Sequence, residues 1–376
     1  MMRERGGIVA GADVRSELLP DRPVGVRSYK IGAVGTGFIM NEVQLAAYAK
    51  AGFDVIAVAA SDAEKARAVA ARWGIPGAHA NALDVIGDPA VDILDVAVPP
   101  HAQRALVEAA VAQPHIKALL LQKPLAPTLA DAKYIVELCE RNGKLVSVNQ
   151  NMRFDQSMQV LKQILDRGWL GSPVTATIEM RAIPHWQEYL KDYNRLTLLN
   201  MSIHHLDVMR FLFGEVRYIF VATRQDPRTR FAHRDGICAI TLEFASGVLG
   251  HCFDDVWASP TSDGFPAEIF IRWRIVGIDG VAKGTIGWPD YPDGSPSTLS
   301  FCAPVTERQW VTPQWETMWF PDAFIGVMAQ LQDALAGKAP LALDGRDNLR
   351  TMALVEAGYA SLDRHSAVEP SEFHQE

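Results

Sequence analysis

The sequence predicts two units in one chain: a doubly wound α/β unit around a parallel sheet, then an α+β unit on a mostly antiparallel sheet. Three observations predict this. Between Tyr29 and Asn149 five short apolar runs, KIGAV, FDVIAVAA, VDILDVAV, IKALLL and KLVSV, alternate with amphipathic stretches, the pattern of βαβ units whose strands are buried on both faces. The first run leads straight into a glycine-bearing turn, Gly35-Thr36-Gly37. After Phe154 the texture changes to alternating strands such as VTATIEMRA, ICAITLEF, VLGHCF and IFIRWRIVG, separated by Gly, Pro and Asp turns.

The elements follow in order. Residues 1–27 lack the continuous apolar stretch of a secretory signal and read as a flexible leader. Asp62 can cap DAEKARAVAARW before Gly74 stops it, and Thr128 with Asp131 makes a capping box for LADAKYIVELCERN before Gly143. Beyond Phe154 come helices at about 156–167, 197–213, 321–335 and 347–363. The chain has 376 residues, 48% hydrophobic and 21% charged, enough for two cores.

Composition excludes several partners. A net charge of -8 with no basic block argues against nucleic acid and anionic membranes, since phosphate binding needs clustered Lys and Arg. No apolar run approaches the ~20 residues of a membrane span. The four cysteines, Cys139, Cys238, Cys252 and Cys302, form no CxxC, which disfavours a zinc motif and a disulfide framework and fits a reduced, cytoplasmic protein.

Gly35-Thr36-Gly37-Phe38-Ile39-Met40 begins a G-x-G-x-x-G fingerprint: Gly35 permits the turn, Gly37 lets the backbone approach a pyrophosphate, and the following helix offers unpaired N–H groups. Met40 replaces the third glycine, so strand and helix are expected to pack less closely there. A ribose-binding acid belongs at the end of the second strand, where Ala60, Ser61 and Asp62 stand. Asp62 reads equally as ribose ligand or helix cap. No arginine follows to take a 2′-phosphate, so NAD is favoured, with NADP as the alternative.

Ligands of an open parallel sheet sit beyond the carboxyl ends of its strands. Pro99, Pro100 and His101 end one strand there, and Gln122 and Lys123 end the next. A lysine desolvated beside a cofactor has its pKa lowered toward the range useful for proton transfer, although position alone also allows a surface lysine after an edge turn.

Taken in order, GAVGTGF, VDILDVAVPPHA, LLLQKPLA, NMRF and NMSIHHLDVMRFLFG carry a resemblance. Over nearly all of residues 29–365 the chain resembles the Gfo/Idh/MocA oxidoreductase family, with LLLQKPLA in the place of its E-K-P motif and NMSIHHLD in the place of its D-x-x-x-H-x-x-D helix. The resemblance implies a Rossmann domain over 28–150, and over 151–376 a substrate-binding and oligomerisation domain on a large open sheet. The C-terminal helices are expected to pack back on the first domain. It also implies an NAD(P) cofactor, with Lys123 and His204 flanking the reacting carbon of a sugar, polyol or related substrate.

Helical spacing places Asn200, His204 and Asp207 on one face, with His204 as general base and Asn200 beside it in the catalytic group. HHxxD also holds ligand types for zinc, but hydride transfer needs no metal, and none is expected. His205 reads as structural, and Asp207 as either orienting an active-site group or anchoring the helix. Two departures stand out. Gln122 replaces the family's glutamate, removing a charge that favours the protonated amine, and Asn200 replaces an aspartate, so it can hydrogen-bond but not hold imidazolium by charge.

Asn149, Asn151, Arg153, Arg181, His185 and Trp186 follow the sixth strand or lie on the first strand of the second sheet, and suit a hydroxyl-rich or carboxylate ligand. Trp257, Trp273, Trp288 and Trp315 are expected to fill packing faces or a subunit interface. An open sheet face calls for a homodimer or homotetramer. The expected function is an NAD(P)-dependent dehydrogenase of sugars, polyols or sugar acids, with apiose-like short sugars and aldonates among the candidates. The alternatives are a glycosidase that uses NAD in a redox cycle and a non-catalytic NAD-responsive regulator.

Overall fold

The structure, a computed structural model, describes residues 14–182, 188–256, 269–287 and 294–374. Its first sheet is six-stranded in the order β3-β2-β1-β4-β5-β6, with every neighbouring pair parallel. The strands are β1 (Ile31–Val34), β2 (Val55–Ala59), β3 (Gly77–His79), β4 (Ile93–Val96), β5 (Ala118–Leu121) and β6 (Leu145–Val148). Every residue of β1, β4 and β5 is buried, because helices cover both faces of the sheet, and that is why β1 and β5 read as unbroken apolar runs and β4 as a run interrupted only by Asp95. β3 has no such run. Gly-Ala-His becomes a strand only by pairing with β2.

The connecting helices are α1 (Leu45–Ala51), α2 (Ala63–Trp73), α3 (Ala82–Ile86), α4 (Pro100–Val111) and α5 (Leu129–Arg141). Asp62 Oδ1 accepts from the Glu64 N–H at 2.9 Å and Thr128 Oγ1 from the Asp131 N–H at 3.1 Å, which satisfies donors that the first helical turn leaves unpaired.

The second sheet is seven-stranded, in the order β13-β12-β11-β7-β10-β9-β8. It comprises β7 (Pro173–Ala182), β8 (Val216–Arg224), β9 (Ile237–Phe244), β10 (Leu249–Val256), β11 (Phe270–Gly277), β12 (Val281–Ile286) and β13 (Thr298–Cys302). β7 and β10 run parallel and every other pair antiparallel. Burial alternates along the strands: in β9, Cys238, Ile240, Leu242 and Phe244 are buried while Thr241 and Glu243 are exposed. Helix α6 (Gln156–Asp166) covers β12 and β13, and α9 (Gly345–Arg364) covers β8. The opposite face carries exposed Phe220, Leu249, Arg272 and Arg274.

Between the sheets, α7 (Ile203–Phe213) packs on α9, while α8 (Phe324–Leu335) lies against α1 and β5. α9 also touches α5 and β6, so the last two helices return to the first unit. Residues 14–27 differ from the expected flexible leader. Leu18 and Val26 are buried, Gln163 bonds both the N–H and the carbonyl of Leu19, and Arg22 reaches Asp333 at 3.4 Å. No helical or strand period announces this docking, because the segment is held by isolated contacts. Among the described residues no helix is long and apolar enough to cross a membrane.

Candidate active site

A cleft of about 660 Å³ opens at the carboxyl ends of the parallel strands, between the two units. Two helices that border it begin with a wider π-helical turn, Ile39–Gln44 before α1 and Leu198–Ser202 before α7, whereas Trp319–Ala323 before α8 is kinked at Phe320, whose backbone is extended (φ -102, ψ 122). Ile39, Met201, Trp319 and Phe320 from these segments line the cleft. π-helical turns recur at functional sites.

At one end the glycine turn is built to be approached. Gly35 has φ 101, a left-handed conformation in which a side chain would also run into the Ala97 carbonyl oxygen. A Cβ on Gly37 would meet no atom within 4 Å, because that side of the backbone faces the open cleft. Gly35, Gly37, Phe38 and Ile39 all line the cleft, and the space beside Gly37 fits a dinucleotide pyrophosphate. Met40, in the place of the third glycine, is fully buried.

Beyond the turn the cleft is lined by Ser61, Lys65 and Asn81. Asp62 caps α2, its Oδ1 accepting from the Glu64 and Lys65 N–H groups, and it does not line the cleft. Pro99 and Pro100 continue the wall, whereas His101 turns aside so that its Nδ1 lies 2.6 Å from the Tyr193 hydroxyl.

The other end holds Gln122, Lys123 and His204. Gln103 clamps the loop that carries the lysine: its Oε1 accepts from the Gln122 N–H at 2.8 Å, and its Nε2 donates to the carbonyls of Gln122, Pro124 and Leu125, each at 3.1 Å. Lys123 is half-buried at its surface, but its amine lies within the protein, 2.6 Å from the main-chain oxygen of Asn200. Burial lowers its pKa to about 7, because the charged form loses water and no carboxylate replaces it. His204 is buried edge-on to Trp319, with ring centroids 6.2 Å apart. Burial, then the charge of Lys123, then His205 hold its pKa well below the ordinary imidazole value.

The HHxxD side chains diverge. His204 faces the cleft, His205 Nδ1 sits 2.7 Å from Asp254 Oδ1 in full burial, and Asp207 is engaged by Arg153. Among the described residues no three His, Cys, Asp or Glu side chains gather as a metal site.

Several expected substrate ligands lie elsewhere. Arg153 donates from Nε and Nη2 to the two oxygens of Asp207 at 2.6 and 2.7 Å, and from Nη2 to Asp347 at 2.8 Å. That buried network ties α7 to α9, and neither Arg153 nor Asp207 lines the cleft. Arg181 follows cleft-lining Met180 on β7, so strand alternation points it to the other face, near Asp255 and Phe270. Asn149 is fully buried behind the wall, and Asn200 offers Lys123 its main-chain carbonyl. His185, Trp186, Trp257 and Trp288 lie outside the described residues. Trp273 is buried on β11, where its indole N–H meets Ser157 Oγ at 3.3 Å.

Lys65, Asn81, Tyr189, Trp319 and Phe320 line the cleft without having been singled out in the sequence. The Trp319-Phe320 pair immediately before Pro321 and an apolar helix was a usable signal; the others become neighbours of the cleft only through the fold.

Comparison with known proteins decides the family. Residues 29–150 match the model of an oxidoreductase family with an NAD-binding Rossmann fold, and 158–283 match the GFO/IDH/MocA C-terminal domain. A D-apiose dehydrogenase of Paraburkholderia graminis is 30% identical over 354 residues, 92% of this chain and 90% of that protein. The chain belongs to the Gfo/Idh/MocA oxidoreductase family. Within it, inositol 2-dehydrogenase 1 of Saccharopolyspora erythraea is 34% identical over 224 residues, 58% of this chain and 65% of that one. An Agrobacterium radiobacter oxidoreductase, solved with NAD+, L-tartaric acid and magnesium, superposes with a TM-score of 0.76 at 25% identity, over 92% of this chain and 99% of that one. As in this family, the first domain here is an NAD-binding Rossmann domain and the chain is an NAD-dependent dehydrogenase.

Proposed function

We propose that this chain oxidises a CH–OH carbon of a sugar, polyol or sugar acid, with short branched sugars of the apiose kind first among the substrates. The observation that carries the reading is the pairing, at one end of the cleft, of an amine whose pKa is about 7 with a buried neutral imidazole. The dehydrogenases of apiose and inositol among its relatives support the substrate class.

NAD would supply the hydride acceptor; the Gly35–Ile39 turn would hold its pyrophosphate, and Ser61, Lys65 and Asn81, which line the cleft beyond that turn, would take the adenosine end. Neutral Lys123 accepts the substrate hydroxyl proton at Nζ, and the Asn200 carbonyl stabilises the resulting ammonium. From sequence, His204 is the expected base. Burial and the neighbouring amine make it a poor proton acceptor, so its ring positions the substrate hydroxyl by hydrogen bonding.

The test is reduction of NAD and NADP, followed by nicotinamide absorbance across sugars, polyols, aldonates and lactones. Reduced cofactor with one class is the expected result. Tightly retained NAD with no net reduction, but cleavage of a glycoside, would sink the dehydrogenase reading in favour of the redox glycosidase. The pH profile has a defined sign: oxidation needs the neutral amine, so its rate rises as pH passes through about 7, whereas reduction needs the ammonium and falls over the same interval. A rate flat between pH 6 and 8 would count against Lys123, since ~1 pH unit either side of a pKa changes the neutral fraction severalfold.

The open face of the seven-stranded sheet, with Phe220 42% and Leu249 54% exposed, supports assembly of two or four copies through it. Light scattering is expected to give a dimer or tetramer mass; a monomer at micromolar concentration would refute it.

A further inference from the structure

Behind the cleft wall runs a line of side-chain hydrogen bonds that all point the same way. Trp319 Nε1 donates to Asn151 Oδ1 at 2.9 Å, Asn151 Nδ2 to Asn149 Oδ1 at 3.3 Å, and Asn149 Nδ2 to Gln122 Oε1 at 3.4 Å. Gln122 Nε2 donates to Gln44 Oε1 at 2.9 Å, and Gln44 Nε2 to Asp95 Oδ2 at 2.6 Å. The Tyr48 hydroxyl also donates to that oxygen, at 2.6 Å. An indole N–H only donates, and a carboxyl oxygen that receives two hydrogens only accepts. The two ends therefore dictate which way each amide between them is turned.

Gln122, Asn151 and Trp319 line the cleft, whereas Asp95 is fully buried in the middle of β4. A carboxyl group at the centre of a parallel sheet is costly, because burial disfavours its charge; here burial raises its pKa to about 7 even against the bonds from Tyr48 and Gln44. The other residues of β4 are Ile93, Leu94 and Val96.

We propose that Asp95 is a positioning residue: as the accepting terminus of this line it holds, together with the donating Trp319 indole at the other end, the Gln122 and Asn151 amides in place beside Lys123. Gln122 stands where the family motif has a glutamate. In this chain the carboxyl lies one strand away and acts on the site through two neutral amides, Gln44 and Gln122. The kinetic consequence rests on the dehydrogenase reading; the orientation of the amides does not.

The test compares Asp95→Leu, which removes the acceptor, with Asp95→Asn, which keeps an oxygen there. The protein is labelled with 15N-tryptophan, and the Trp319 indole N–H resonance is assigned by its loss in Trp319→Phe. In Asp95→Leu that resonance is expected to move and kcat per folded molecule to fall roughly 10- to 100-fold, the upper figure being the cost of a misplacement of about 1 Å. The KM for NAD should change less than kcat, and Asp95→Asn should retain the wild-type resonance and most of kcat. An unmoved Trp319 resonance, or an unchanged kcat, in a folded Asp95→Leu protein overturns the proposal whatever happens to the melting temperature. If Asp95→Leu does not fold, Gln44→Met cuts the same line while leaving Tyr48 on Asp95, with the same expectation and the same refutation. A wild-type chain inactive on every substrate would sink the dehydrogenase reading, and the resonance shift would still decide the orientation.

Discussion

Lys123→Met is expected to lower kcat by roughly 10²- to 10⁴-fold, the range for losing a positioned acid–base group. Affinity for NAD, measured by calorimetry, should stay within a few-fold. Methionine keeps most of the side chain's length and apolar volume, so the clamp of Gln103 on the loop carrying residue 123 is undisturbed. What is lost is the one amine that combines access to the cleft, a main-chain oxygen at 2.6 Å and a pKa of about 7. The pH dependence near 7 should vanish with it. Full turnover in the variant would remove Lys123 from the chemistry, while loss of NAD binding together with activity would mean that the loop had collapsed.

Arg153→Met is expected to cost about 3–5 kcal/mol of stability, because it strands a buried carboxylate. Asp207 is 1% exposed, and without Arg153 its remaining donor is the Thr351 hydroxyl at 2.9 Å. Since neither residue lines the cleft, the fraction that stays folded should keep the wild-type KM for substrate. Urea denaturation and steady-state kinetics on one preparation separate the two roles. A raised KM with unchanged stability would restore Arg153 as a substrate ligand. Replacing both partners, Arg153→Met with Asp207→Leu, should recover much of the loss, since an apolar pair strands no charge.

The contrast between Lys123 and Arg153 shows where sequence stops being informative. Both are cations beside a strand end, and both suit a polar ligand. The lysine could be placed because its strand is buried on both faces and its end opens at the ligand edge of a parallel sheet, a consequence of local pattern and topology. Placing the arginine required knowing that α7 and α9 bring Asp207 and Asp347 to it, 54 and 194 residues along the chain. Asp62 was open in sequence for a similar reason: the same short carboxylate serves a ribose or a helix end, and only the backbone shows which N–H groups it reaches.

By itself the sequence determined the periodicities of 2 and 3.6, and with them the order of most strands and helices, because burial on one or two faces writes directly into local residue pattern. It also determined the glycine turn, the cap at Thr128, and the presence of Lys123 and His204 at element ends. Only the tertiary structure decided that Gly-Ala-His is a strand, that residues 14–27 are docked, which side chains reach the cleft and what titrates near neutrality. Those properties depend on desolvation and on hydrogen bonds between residues distant in sequence, such as Trp319 with Asn151 and Gln44 with Asp95, and no local pattern encodes them.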